Sequence, residues 1–269
     1  MSTSSVWHDR TVASVLTVVL AGLVALAGYT SVYAVGAAVL IGQLLMAALP
    51  APTDRRGGVV AARPLLPVIV GSLVATALML RPGSLVGADG TTAVEESSSM
   101  AGLQLGLGPG IAVAVLVALF MQMTRRDGRE LLVASVSYAT ASAALAVCMS
   151  MWVTVPSLAD GEAIVAAGAA GAAVAAVGWL VPGPRGLLGP VAFVMAGVAG
   201  GAVGYVGDDG MSTDFGVAIG LVAGLMVVVG RLAAAGWAPE SARRIGFEAA
   251  LPLALAGPLV YLVGQFYVL

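Results

Sequence analysis

Lysine is absent from this chain, and histidine and cysteine occur once each, as His8 and Cys148. A single cysteine excludes an intramolecular disulfide and any cysteine-rich metal centre. A single histidine, beside Asp9 and Arg10 near the N-terminus, makes neither a catalytic triad nor a zinc site with the rest of the chain. Charge is scarce as well. Only 10% of the 269 residues are Asp, Glu, Lys or Arg, against about 25% in an ordinary soluble domain. A water-soluble fold of this length needs a polar coat that this composition does not supply. The net charge of −2 favours no nucleic acid partner and no strongly acidic one.

What is present is apolar: 59% of residues are hydrophobic, and the mean hydropathy is +1.01. From Thr11 to Leu49 the chain carries no charge for 39 residues. As one helix this run would extend about 58 Å, nearly twice the roughly 30 Å hydrocarbon core of a bilayer. Two spans are therefore expected, broken at Gly28-Tyr29-Thr30-Ser31, where glycine permits a turn and Tyr29 suits an interface. The same reasoning along the chain gives nine spans. They fall at about 11–28, 32–49, 64–80, 105–123, 131–153, 163–181, 187–206, 215–236 and 247–268. The polar stretch 81–104 reads as an outer loop. The expected fold class is an all-α integral membrane bundle, polytopic, with 1–269 forming a single transmembrane domain. The first apolar run is too long for a signal peptide and lacks a basic segment before it, so the first helix is expected to be retained.

The arginines test this count. With the N-terminus inside, eleven of the twelve arginines fall at inner loops or inner helix ends, among them Arg55, Arg56, Arg125, Arg126, Arg243 and Arg244. Only Arg81 falls outside. One missed helix would invert every later loop, so the positive-inside rule favours nine spans together with an N-in, C-out orientation. Arginine in place of lysine, with abundant Ala, Gly, Val and Leu, reads as the codon bias of a GC-rich bacterial genome. The bacterial plasma membrane is the expected location.

The chain has 36 glycines, many of them inside spans. In lipid, small residues let helix backbones approach closely. Gly197 and Gly201 form such a pair in the seventh span, and Gly216, Gly220 and Gly224 form a stripe on the eighth. Helices six to eight are expected to pack tightly. Residues 163–178 and 192–207 match at ten of sixteen positions without a gap, which shared composition of Ala, Gly and Val explains. Pro67, Pro252 and Pro258 lie within spans and are expected to shape or kink them.

Reactive constellations are few. No ionisable residue falls at mid-span; Arg231 and Glu248 lie near span ends, within reach of the interface. That pattern argues against a proton relay through the membrane. The fifth span is the most polar, and Ser135, Tyr138 and Ser142 share one helical face. They are a candidate polar path, weighed against plain hydrogen bonding within the bundle. Gln43 and Gln265 are isolated polar residues expected to bond between helices. Cys148, Met149 and Met151 lack the histidine and the shared face of a copper site. Asp208, Asp209 and Asp214 read as solvated charge on an outer loop, without the ligand ladder of a calcium site. Gly102 to Gly110 has no phosphate-loop Lys-Ser/Thr.

No catalytic residue, cofactor or metal is expected. The expected partners are membrane lipids and other membrane proteins or a second copy of the chain, with no nucleic acid. The sequence reads as a non-catalytic accessory or scaffold component of a membrane assembly. A small permease for a neutral or lipid-like substrate is the alternative, and an enzyme acting on lipid-linked substrates is the least favoured reading.

Overall fold

The computed structural model describes residues 3–48, 64–80, 98–124, 132–181, 184–207, 211–235 and 242–268. Within them the chain is all-α, with nine helices: α1 (Thr3–Gly28), α2 (Val32–Ala47), α3 (Leu65–Leu80), α4 (Ser98–Met123), α5 (Leu132–Met149), α6 (Gly161–Gly178), α7 (Arg185–Val206), α8 (Thr213–Ala235) and α9 (Ala242–Val268). Two short 3-10 turns, Ser150–Val153 and Val155–Ser157, carry the chain from α5 to α6. Seven helices are long and apolar enough to cross a bilayer; α2 and α3 are shorter and also apolar. In hydrocarbon every backbone N–H and C=O must be satisfied within the chain, and helices do this segment by segment. The chain is a multi-pass α-helical membrane protein.

The break between the first two spans falls where glycine and a capping serine place it. α1 stops at Gly28, and Ser31, extended at φ −172°, caps α2 by accepting from the Ala34 N–H at 3.2 Å. Thr30 closes the turn, its N–H and its hydroxyl both donating to the Ala27 carbonyl.

Several bounds differ from expectation. α4 begins at Ser98, so the end of the stretch expected as loop is helical. Helix geometry there continues past the point where the hydropathy signal fades, and Gly102–Gly110, with Pro109, lies inside the helix. α1 likewise takes in the polar residues from Thr3 to Arg10, and α9 takes in Arg243 and Arg244. Pro67 is the third residue of α3, in a first turn whose N–H groups have no helical acceptor, and so breaks no bond.

α6 and α9 are the most buried spans, each with 67% of its apolar window inside the bundle. α9 packs against α1, α2, α5, α6 and α8. Its prolines Pro252 and Pro258 remove N–H groups that would otherwise bond carbonyls four residues back. The carbonyls adjoining those positions take bonds from other helices: Trp152 Nε1 donates to Leu253 O at 2.8 Å and Thr17 Oγ1 to Ala249 O at 2.9 Å. Trp152 is fully buried and joins the α5–α6 connection to α9.

The glycine stripes meet where α7 crosses α8. A Cβ on Gly200 would run into the Gly216 carbonyl, and one on Gly220 into the Ala196 carbonyl. Gly197 and Gly201 face Leu221 and Val217, and Gly224 faces Ala196. Gly171 of α6 abuts the same Gly220, so three backbones converge at that residue. Such close approach trades side-chain volume for backbone dispersion contacts, which is how helices associate without a hydrophobic driving force between them. The repeat-matched pair Gly171 and Gly200 both contact Gly220.

Candidate functional site

Two polar clusters and one cavity stand out from the apolar interior. The first cluster centres on Gln43 of α2, which the sequence shows only as a lone amide. Its Nε2 donates to Ser150 Oγ at 2.8 Å and to Ala146 O at 2.9 Å. Thr76 Oγ1 of α3 lies 3.1 Å from Ser150 Oγ and 3.5 Å from Gln43 Oε1. All three side chains are buried. One turn before Thr76, Ser72 Oγ is buried without a hydrogen-bond partner. The cluster ties α2, α3 and the end of α5 together through side chains far apart in sequence. A clue lay in the i, i+4 pairing of Ser72 and Thr76 in an otherwise apolar helix.

Ser135, Tyr138 and Ser142 share one side of α5, as their spacing implies. Ser135 and Ser142 are buried and Tyr138 is half-buried. Ser142 Oγ donates back to Tyr138 O at 2.8 Å, a bond within its own helix. Gln265 also stays on its own helix, donating to Tyr261 Oη at 2.9 Å, where a bond between helices was expected. The i, i+4 spacing of Tyr261 and Gln265 makes the local partner the nearer one.

The second cluster corrects the expectation for Arg231. Its side chain does not reach out to the interface; it is 8% exposed, enclosed among α1, α8 and α9. Nη2 donates to Thr17 Oγ1 at 3.0 Å. The single Thr17 hydroxyl proton is shared between Ala13 O and Ala249 O, both at 2.9 Å. Arg231 Nε has no partner. Glu248 lies close enough to act on the guanidinium charge. Thr17 lies about 9 Å along α1 from Thr11, where the apolar run begins, so this charge is held inside the bundle near one of its ends. Arg231, expected at the interface, is thus buried, while Glu248 is only half-buried.

The cavity has a volume of about 350 Å³. It is framed by the α1–α2 turn at Gly28 and Ser31, the end of α3 at Met79 and Leu80, the α5–α6 connection at Val153, Thr154, Pro156 and Ser157, and the start of α6 at Glu162. All of these are connections that strict alternation assigns to the outer side. The Arg231 junction gathers the middle of α1 at Thr17, the last turns of α8 and the early turns of α9 at Ala249, in the half of the bundle that alternation assigns to the inner side. Each group keeps to one half of the bundle. Asp160, which precedes α6, takes a left-handed conformation at φ 52° and turns the chain from the 3-10 segment into the helix.

Among the described residues, no three His, Cys, Asp or Glu side chains gather as metal ligands. Met149 packs its thioether on Gly42, and Cys148 is half-buried beside it in sequence. Asp214 is exposed in the first turn of α8; Asp208 and Asp209 lie outside the described residues, as do Arg55, Arg56, Arg125 and Arg126. Comparison with known proteins found no family model that matches the chain, no similar curated protein and no similar solved structure.

Proposed function

We propose that this chain is a non-catalytic component of an assembly in the bacterial plasma membrane, oriented with its N-terminus inside. The observation that carries this reading is the Gln43 cluster. The buried polar groups of this cluster direct their hydrogen bonds at one another and at the Ala146 carbonyl, across three helical segments. Such bonds fix helix positions. The close α6–α7–α8 contact adds rigidity of the same kind, and exposed apolar faces on α4 and α7 remain for lipid or partner helices. Extraction of the tagged chain in a gentle detergent tests the reading. A complex holding a second membrane protein at fixed stoichiometry supports it; a monomer or self-associated chain alone contradicts it.

A carrier for a small solute is the second reading. It is favoured by the position of the cavity, whose walls at Met79 and Val153 lie one helical turn along α3 and the α5 continuation from Thr76 and Ser150. Solute flux into proteoliposomes containing the purified chain supports this reading, and absence of flux across a broad panel removes it.

A further inference from the structure

The cavity between the α1–α2 turn and the start of α6 has a lining of unusual hydrogen-bond character. Ser157 Oγ–H is committed to Thr154 O at 2.6 Å, and Thr154 Oγ–H to Met151 O at 2.7 Å. With their protons so placed, these two hydroxyl oxygens can offer an occupant acceptors only. Ser31 Oγ already accepts from Ala34 N and keeps a lone pair beside its own O–H, so it can either accept or donate. Glu162, exposed in the first turn of α6, adds a carboxylate, another pure acceptor, at a position where the helix dipole favours negative charge. The remaining walls are apolar: Val32, Met79, Leu80, Val153 and Pro156.

An acceptor-rich rim above an apolar wall fits one kind of guest. We infer that this cavity binds a primary ammonium group carried on a small apolar body, with Glu162 as its counter-charge and Thr154 and Ser157 as hydrogen-bond acceptors. The three N–H donors of a primary ammonium match three acceptors, and the apolar part lies against Val32, Leu80 and Val153. A bare divalent ion fits poorly, because it needs six or more oxygen ligands at about 2.0–2.6 Å, and a cavity of about 350 Å³ with one carboxylate does not gather them. The volume lies instead at the lower end of small-molecule sites, which run from about 300 Å³. The ammonium has two sources, a free amine or the ethanolamine headgroup of a phospholipid, and the chemistry at the site is the same for both.

Equilibrium dialysis of phenethylamine against the full chain in phosphatidylcholine nanodiscs tests the inference, with protein-free nanodiscs subtracted. Saturable binding is expected, while phenethyl alcohol, of similar shape and neutral, does not bind. Glu162→Gln weakens binding by roughly tenfold or more, the scale of one charged hydrogen bond. Ser157→Phe, a change at an exposed position, fills the cavity and abolishes binding while the fold is retained. Adding phosphatidylethanolamine to the nanodiscs separates the sources: competition assigns the site to the headgroup, and no competition assigns it to a free amine. No saturable binding of amine or headgroup overturns the inference. So does equal binding of amine and alcohol, or binding unchanged in Glu162→Gln. Arg81 follows Leu80 in the sequence, and binding that appears only in Arg81→Gln also overturns it, since the native chain would then supply its own cation.

Discussion

Arg231 Nη2 lies 3.0 Å from Thr17 Oγ1, although 214 residues separate the two in sequence. The bond joins the last turns of α8 to α1, and the same threonine hydroxyl donates to Ala249 O on α9. One small side chain thus links three helices around a buried charge. Thr17→Val keeps the shape and removes the hydroxyl. It leaves the guanidinium short of an acceptor and is expected to cost about 1–3 kcal/mol, the penalty for an unpaired buried polar group. Thermal unfolding in detergent reads the loss as a lower midpoint. An unchanged midpoint would show that Arg231 finds another acceptor.

Burying a charge is costly unless it is fully paired, and Arg231 Nε has no partner. The chain carrying both Arg231→Met and Glu248→Gln is therefore expected to unfold no earlier than the native one. Arg231→Met alone removes the positive charge near Glu248 and is expected to be the less stable of the two variants. A double variant markedly weaker than either single change contradicts the junction as described.

Gln43 supplies the second stability test. Gln43→Leu removes two donated bonds but leaves Thr76 and Ser150 paired with each other at 3.1 Å. The expected cost is about 1–2 kcal/mol, since the two hydroxyls still satisfy one another. Thr76→Val added to Gln43→Leu should cost less than the sum of the single changes, because both act on one network. Strict additivity in thermal unfolding would separate Thr76 from the cluster.

Two glycines allow a matched comparison of close approach. A Cβ at Gly200 meets the Gly216 carbonyl, whereas one at Gly22 meets nothing within 4 Å. Gly200→Ala is expected to destabilise by about 1–3 kcal/mol through overpacking. Gly22→Ala is expected to be neutral or slightly stabilising, as helix propensity gains about 0.8–1.0 kcal/mol. Similar midpoints for the two variants would mean that the α7–α8 contact is looser than described.

The helices were legible in the sequence because one strong physical signal sets them. Apolar runs long enough for hydrocarbon announce themselves, and the break at Gly28–Ser31 carried both a glycine and a capping serine. The ends were less legible. Ser98 to Gln104 is helical without being apolar, so hydropathy passes over it. The polar clusters were the least legible part. Gln43 meets partners 33 and 107 residues away, and no pattern along the chain encodes such a meeting. Arg231 sits close to the end of α8, which in one dimension predicts a side chain reaching for water. The packing of α1 and α9 around that end encloses it instead. The cavity was hidden for a similar reason, since its polar rim draws one or two residues from each of several connections.

The proposed topology threads the chain through the bilayer in strict alternation and puts every arginine but Arg81 on the inner side. Cysteines introduced one at a time in a Cys148→Ser background, as Arg56→Cys, Arg126→Cys, Asp160→Cys and Ser212→Cys, report this directly when intact cells meet a membrane-impermeant maleimide. Labelling of Asp160→Cys and Ser212→Cys in intact cells is predicted, with Arg56→Cys and Arg126→Cys reacting only after the membrane is opened. Labelling of Arg56→Cys and Arg126→Cys from opposite sides would contradict it.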